Sequence, residues 1–138
     1  MLLARCWNAC ANEADFWRVS VGRVGCFVAA VWKIKIPNDL KLRSGNFLLR
    51  IKYLGDAARI YLGQRLLTDN FYNGNVFEVG INRFAPEILN QDLFLKILPL
   101  RKDAPIYLAE EAKPDFAGQD IICKLLTVDL VEIFTVQL

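Results

Sequence analysis

From Trp32 onward the hydrophobic pattern has a period of two. In Trp32-Lys33-Ile34-Lys35-Ile36 apolar residues alternate with lysines, as in a half-buried antiparallel strand with one face in a core and one in water. Pro37 and Asn38-Asp39 end the run. The alternation returns after Ser44-Gly45-Asn46, with Phe47, Leu49, Ile51 and Tyr53 on one side and Leu48, Arg50 and Lys52 on the other. Gly55-Asp56 is a turn signal, and Ala58, Ile60 and Leu62 then oppose Arg59 and Tyr61. Gly63-Gln64 reads as a two-residue hairpin turn, because glycine supplies the positive φ that a type II′ turn needs first. Residues 65–67 are its short return strand.

Asp69-Asn70-Phe71-Tyr72-Asn73-Gly74-Asn75 reads as a loop rich in turn formers that carries two large aromatics. Residues 76–81 form a further strand, and Ala85-Pro86-Glu87-Ile88-Leu89-Asn90 is a modest helical turn. Residues 93–98 are strongly strand-like and closed by Pro99. A short strand follows at 106–108, then an exposed loop at 109–118 that contains Pro114. Residues 121–136 are a long β-rich tail whose alternation slips near Asp129, the mark of a β-bulge. The fold expected from this pattern is an all-β sandwich of the jelly-roll type, with about eight antiparallel strands and little helix.

Composition narrows the chemistry. The 138 residues suit one domain able to fold without metal or disulfide staples. No histidine is present, which removes Ser-His-Asp and Cys-His catalysis, His-zinc sites and a histidine pH switch. Cys6, Cys10, Cys26 and Cys123 form no C-x-x-C pair and read as free thiols acting as small hydrophobes. No cofactor is expected, since Gly22-Arg23-Val24-Gly25 is too short for a phosphate-binding fingerprint and no helix follows it. Arg5, Asn8, Asn12 and Glu13 break the first apolar run too early for a secretory signal. The longest apolar stretch, residues 24–32, is too short to span a bilayer, so no membrane partner is expected.

Charge is unevenly spread: residues 1–31 carry +1, residues 32–65 carry +6 and residues 66–138 carry −5. A basic segment with Trp32, Tyr53 and Tyr61 interleaved is one form of nucleic-acid surface. It is equally the outward face of solvated strands, and the period-two pattern favours that account, so no nucleic-acid partner is expected. Glu110 and Glu111 are neighbours, and neighbours in an extended chain point to opposite faces, which suits a solvated edge better than a paired-carboxylate site. Asp56 and Asp69 flank the same hairpin, where a turn cap explains each.

The most unusual stretch is residues 69–75. Rings set among Asp, Asn and Gly suit a sugar-binding surface, in which a ring stacks on a pyranose and amides or carboxylates bond its hydroxyls. The candidate ligand-binding residues are Asp56, Asp69, Asn70, Tyr72 and Asn73. In the competing account, Phe71 and Tyr72 plug the open end of the sandwich while Asp69 and Asn73 shape the turn.

The run Gly55-Asp56-Ala57-Ala58-Arg59-Ile60-Tyr61-Leu62, followed by Arg65-Leu66-Leu67-Thr68-Asp69-Asn70-Phe71-Tyr72-Asn73-Gly74, resembles a known domain. It is similar to the galactose-binding-like jelly roll near the C-terminus of bacterial β-galactosidases of glycoside hydrolase family 35. Phe77-Glu78-Val79-Gly80-Ile81-Asn82-Arg83-Phe84, Leu95-Lys96-Ile97-Leu98-Pro99-Leu100 and Asp103-Ala104-Pro105-Ile106-Tyr107-Leu108 fit the same region. The likeness spans residues 32–138. One departure is Gly63-Gln64, where that family usually carries Asn-Gly.

The resemblance implies a non-catalytic module that packs against the catalytic domain of a parent glycoside hydrolase and contacts a galactoside or other carbohydrate. It also implies a periplasmic or secreted parent. The family's catalytic glutamates belong to an upstream barrel and map onto no residue here. Two rivals are an autonomous carbohydrate-binding module and, further off, a small basic β-domain binding nucleic acid. The chain thus divides into residues 1–30, which match nothing in the family, and a jelly-roll domain over 31–138. Within the first part, Trp17-Arg18-Val19-Ser20-Val21 alternates well enough to add an edge strand.

Overall fold

In a computed structural model, residues 29–37, 40, 45–134 and 136–138 are described. The division at residue 30 and the alternating run at 17–21 therefore lie at or outside the edge of the described residues.

Nine strands are described: β1 (Ala30–Ile34), β2 (Asn46–Leu54), β3 (Ala57–Leu62), β4 (Arg65–Phe71), β5 (Phe77–Gly80), β6 (Leu93–Leu98), β7 (Leu100–Arg101), β8 (Ile121–Ile122) and β9 (Lys124–Ile133). One short helix, α1 (Glu87–Asn90), falls within the expected helical turn. Two 3-10 turns span Ile81–Phe84 and Glu110–Ala112. All described strand pairs are antiparallel. They make a four-stranded sheet ordered β1-β6-β3-β4, a three-stranded sheet ordered β5-β2-β9 and the small pair β7-β8.

Period-two alternation decides which side chains are inside. Phe47, Leu49, Ile51 and Tyr53 of β2 are buried, as are Ala58, Ile60 and Leu62 of β3 and Leu93, Leu95 and Ile97 of β6. With Phe77, Val79, Leu125 and Val128 they form one apolar cluster fed by both larger sheets. Each fully buried Leu or Ile contributes about 1.5–3 kcal/mol relative to exposure. Gly63 has φ of +59° and Leu62 sits opposite Arg65. Gln64 is not among the residues at positive φ, so the turn is type II′.

Several expectations need correction. The return strand does not stop at residue 67. It continues through Phe71, pairing Ala58 with Asn70 and Ala57 with Phe71, so Asp69, Asn70 and Phe71 are strand and not loop. The physical cause is β3: unpaired, the backbone groups along its buried length would lack partners. Leu67 is the extra residue of a bulge between the Ile60–Thr68 and Tyr61–Leu66 pairs. Residues 106–108 form no strand, since nothing among the described residues pairs with them; Ile106 N–H instead bonds Ala104 O at 2.8 Å, and Tyr107 is exposed. The irregularity of β9 lies between the Lys52–Thr127 and Tyr53–Leu125 pairs. Leu126 is thus the inserted residue, three positions before Asp129. The insertion is what lets both Leu125 and Val128 turn inward.

Candidate functional site

Asp56, Asn70 and Tyr72 meet at the end of the molecule where the chain passes from β2 to β3, and so from one sheet to the other. Gly55-Asp56 makes that passage. Gly55 packs so closely that a Cβ there would lie 2.5 Å from Ile97 Cγ2 and 2.7 Å from Leu98 O. Asp56 N–H donates to Leu98 O at 2.8 Å, and Asp56 O accepts from Tyr72 N–H at 2.9 Å. One residue therefore ties the end of β6 to the exit of β4.

Tyr53 anchors this end from inside. Its hydroxyl donates to Asn70 O at 2.9 Å and accepts from Asn70 Nδ2 at 3.0 Å. Its ring meets that of Tyr72 edge-on, with centroids 5.8 Å apart and planes at 72°, a favourable aromatic geometry. Burial pushes the Tyr53 hydroxyl pKa above the usual tyrosine value; the Asn70 bond opposes the shift, and the nearby Asp56 charge adds to it. Burial also raises that of Tyr72. Tyr53 reads from sequence as a core position and not as part of a site. The available signal was its hydroxyl, since a tyrosine at an inward strand position needs a polar partner.

Tyr72 is half-buried and packs against the core cluster, which is the geometry of a plug. Phe71, the other proposed plug, is 71% exposed and instead stands out from β4. Asn73 Oδ1 accepts from Asn75 N–H at 2.9 Å, the turn-shaping role. Gly74, at φ +83°, lies against the Glu110–Ala112 turn: a Cβ there would fall 2.7 Å from Ala112 Cβ and 2.9 Å from its Cα.

Of the five candidates, Asp56, Asn70 and Tyr72 are brought together, with Asn73 exposed beside them. Asp69 is not. Strand alternation turns it to the face opposite Asn70, where it lies exposed across from Arg59. Groups at this end without a hydrogen-bond partner among the described residues include the Asp56 carboxylate, the Tyr72 hydroxyl and the Asn73 NH2. They offer an acceptor, a donor-acceptor and a donor pair beside one ring.

Neither the protein families, the curated proteins nor the solved structures compared with this chain contain a match.

The basic stretch proves to be divided. Lys33 and Arg59 take outward positions on the four-stranded sheet, while Arg50 and Lys52 take outward positions on the other. Lys33 Nζ pairs with Asp92 at 2.9 Å and Arg50 Nε with Glu78 at 2.9 Å, and Asp129 sits opposite Arg50 on its other side. Lys41 and Arg43, which belong to the same stretch, lie outside the described residues. Among the described residues there is no group of three or more Cys, Asp or Glu able to hold a metal ion, and no helix is long and apolar enough to cross a membrane.

Proposed function

We propose that this chain is a non-catalytic jelly-roll sandwich module of a β-galactosidase-like glycoside hydrolase, built to pack against a catalytic domain and to contact carbohydrate at its Asp56–Tyr72 end. The observation that carries the reading is the junction of the two separated parts of the Gly-Asp…Asp-Asn-Phe-Tyr-Asn-Gly run. Tyr72 N–H bonds Asp56 O, and Asn70 is bonded to Tyr53 beside them. Of the residues that carry the resemblance, Asp56, Asn70 and Tyr72 thus form one unit at one end of the sheets, with Asp69 turned away, and rigid strands there support loop chemistry suited to a ligand.

Strand order supports the jelly-roll part of the reading. With the short β7-β8 pair set aside, β1-β6-β3-β4 and β5-β2-β9 follow the order of two interlocked Greek keys without, among the described residues, a first strand. A single ring contact adds only about 0.5–1.5 kcal/mol beyond its buried area. Free monosaccharide is therefore expected to bind no tighter than about millimolar, roughly −4 kcal/mol.

The test is an amide-shift titration of the labelled chain with galactose and lactose. Shifts confined to Asp56, Tyr72, Asn73 and their neighbours support the reading. A lack of shifts at saturating sugar would remove the carbohydrate contact. Tight binding of single-stranded nucleic acid that falls steeply with salt would favour the basic-domain rival.

A further inference from the structure

The three-stranded sheet is one strand short of the sheet it faces. β9 pairs with β2 along its length, and among the described residues nothing pairs with its other edge. A strand of 10 residues therefore points alternate N–H and C=O groups away from the sheet, and such an edge is a template for another strand. The facing sheet is under-covered on the same side. Ala30 and Trp32 stand opposite Ile97 and Leu95, both 0% exposed, yet both remain half-buried. Leu130, at an inward position of β9, is half-buried too.

The registers fix the direction of any added strand. Lys124, the first residue of β9, is opposite Leu54, and Gly55-Asp56 joins Leu54 to Ala57. Ala57 is opposite Leu98, and Ala30 is opposite Ile97. Cys123 Sγ, just ahead of β9, lies 3.5 Å from Ile97 O. The starts of β1 and β9 are therefore at the same end, and a strand antiparallel to β9 finishes where β1 begins.

We propose that residues 17–21 of this chain add to the open edge of β9 as an antiparallel fourth strand. The eight residues 22–29 can span about 26 Å, more than the roughly 10 Å between stacked sheets. Chemistry selects the register that sets Trp17 against Leu130, Arg18 against Asp129, Val19 against Val128 and Ser20 against Thr127. In it apolar residues meet on the inward side, over Trp32, while an opposite-charge pair and a hydroxyl pair meet on the outward side, as favourable cross-strand neighbours do.

Hydrogen exchange on the full chain tests this. The β9 amides that point away from β2 are expected to exchange about tenfold or more slowly than open amides. Val19→Pro, which removes a ladder donor, is expected to release those amides while the set bonded to β2 stays protected. Should that variant fail to fold, charge exchange keeps the test: Arg18→Asp speeds exchange and Arg18→Asp with Asp129→Arg restores it. Unprotected outward amides in the full chain would overturn the proposal. So would protection unchanged in both variants, or protection that rises with concentration, which signals pairing with a second copy.

Discussion

Tyr53 and Tyr72 show how one hydroxyl and one ring set the properties of an entire end of this molecule. The Tyr53 hydroxyl holds both the carbonyl and the side chain of Asn70. Tyr53→Phe leaves the ring contact but strands those partners, so it is expected to cost about 1–3 kcal/mol in denaturant unfolding. Both tyrosines have raised pKa values because burial disfavours the phenolate. Below about pH 10 each is neutral in folded and unfolded chains alike, and the contribution to stability is complete. Above that, the unfolded chain ionises first and binds fewer protons than the native state, so stability falls as pH rises. Melting curves across the alkaline range are expected to show this decline, and Tyr53→Phe to flatten it. Tyr72→Ala separates plug from platform. As a plug packed on the core cluster, it is expected to cost about 3 kcal/mol, in the manner of large core truncations. Loss of sugar binding with unchanged melting would make it a platform instead.

At the scale of the element, alternation carries opposite expectations for neighbouring strands. Leu95 in β6 is 0% exposed, so Leu95→Ala is expected to cost about 2–5 kcal/mol. Leu66 in β4 is 48% exposed, and Leu66→Ala is expected to fall within about 0.5 kcal/mol. Thermal unfolding of the two variants checks the contrast, and equal losses would mean that the β4 edge is covered in solution. The same alternation is why β2, β3, β5 and β6 were legible in the sequence: each has one face in the core, so its hydrophobic period survives in the residues. Asp69-Asn70-Phe71 was not legible, because turn-forming side chains there are overruled by pairing with Ala57, Ala58 and Arg59, a partner the local residues do not reveal. Ile106-Tyr107-Leu108 fails in the opposite sense, having strand propensity but no partner among the described residues. The bulge of β9 was sensed as a slip in alternation, yet its place at Leu126 is set by the Tyr53 and Lys52 pairings on the other strand. For the candidate site, the sequence picked out Asp56, Asn70 and Tyr72, which do meet. It missed Tyr53, and it grouped Asp69 with residues on the opposite face of β4.

On the scale of the whole molecule, the fold is closed by its most distant parts. β2 spans residues 46–54, and its longest pairing is with β9, residues 124–133. Sheets dominated by such pairings fold slowly, on the order of milliseconds to seconds, and stopped-flow refolding is expected to fall in that range. Truncation tests the closure directly. The described residues beyond Ile133 bury little: Phe134 is 75% exposed, Val136 76% and Leu138 119%. Ending the chain at Ile133 is therefore expected to change stability by no more than about 1 kcal/mol. Ending it at Cys123 removes all of β9, takes Leu125 and Val128 out of the core cluster and strips one ladder from β2. Ile51, now 0% exposed, and Tyr53, at 3%, would then sit on an edge strand with one side uncovered. Two lost core side chains alone cost several kcal/mol by the usual large-to-small scale, against a total stability of about 5–15 kcal/mol for a domain of this size. The shorter truncation is expected to melt cooperatively and the longer one not to. Cooperative melting of the chain ending at Cys123 would show that the four-stranded sheet and its partners fold without β9.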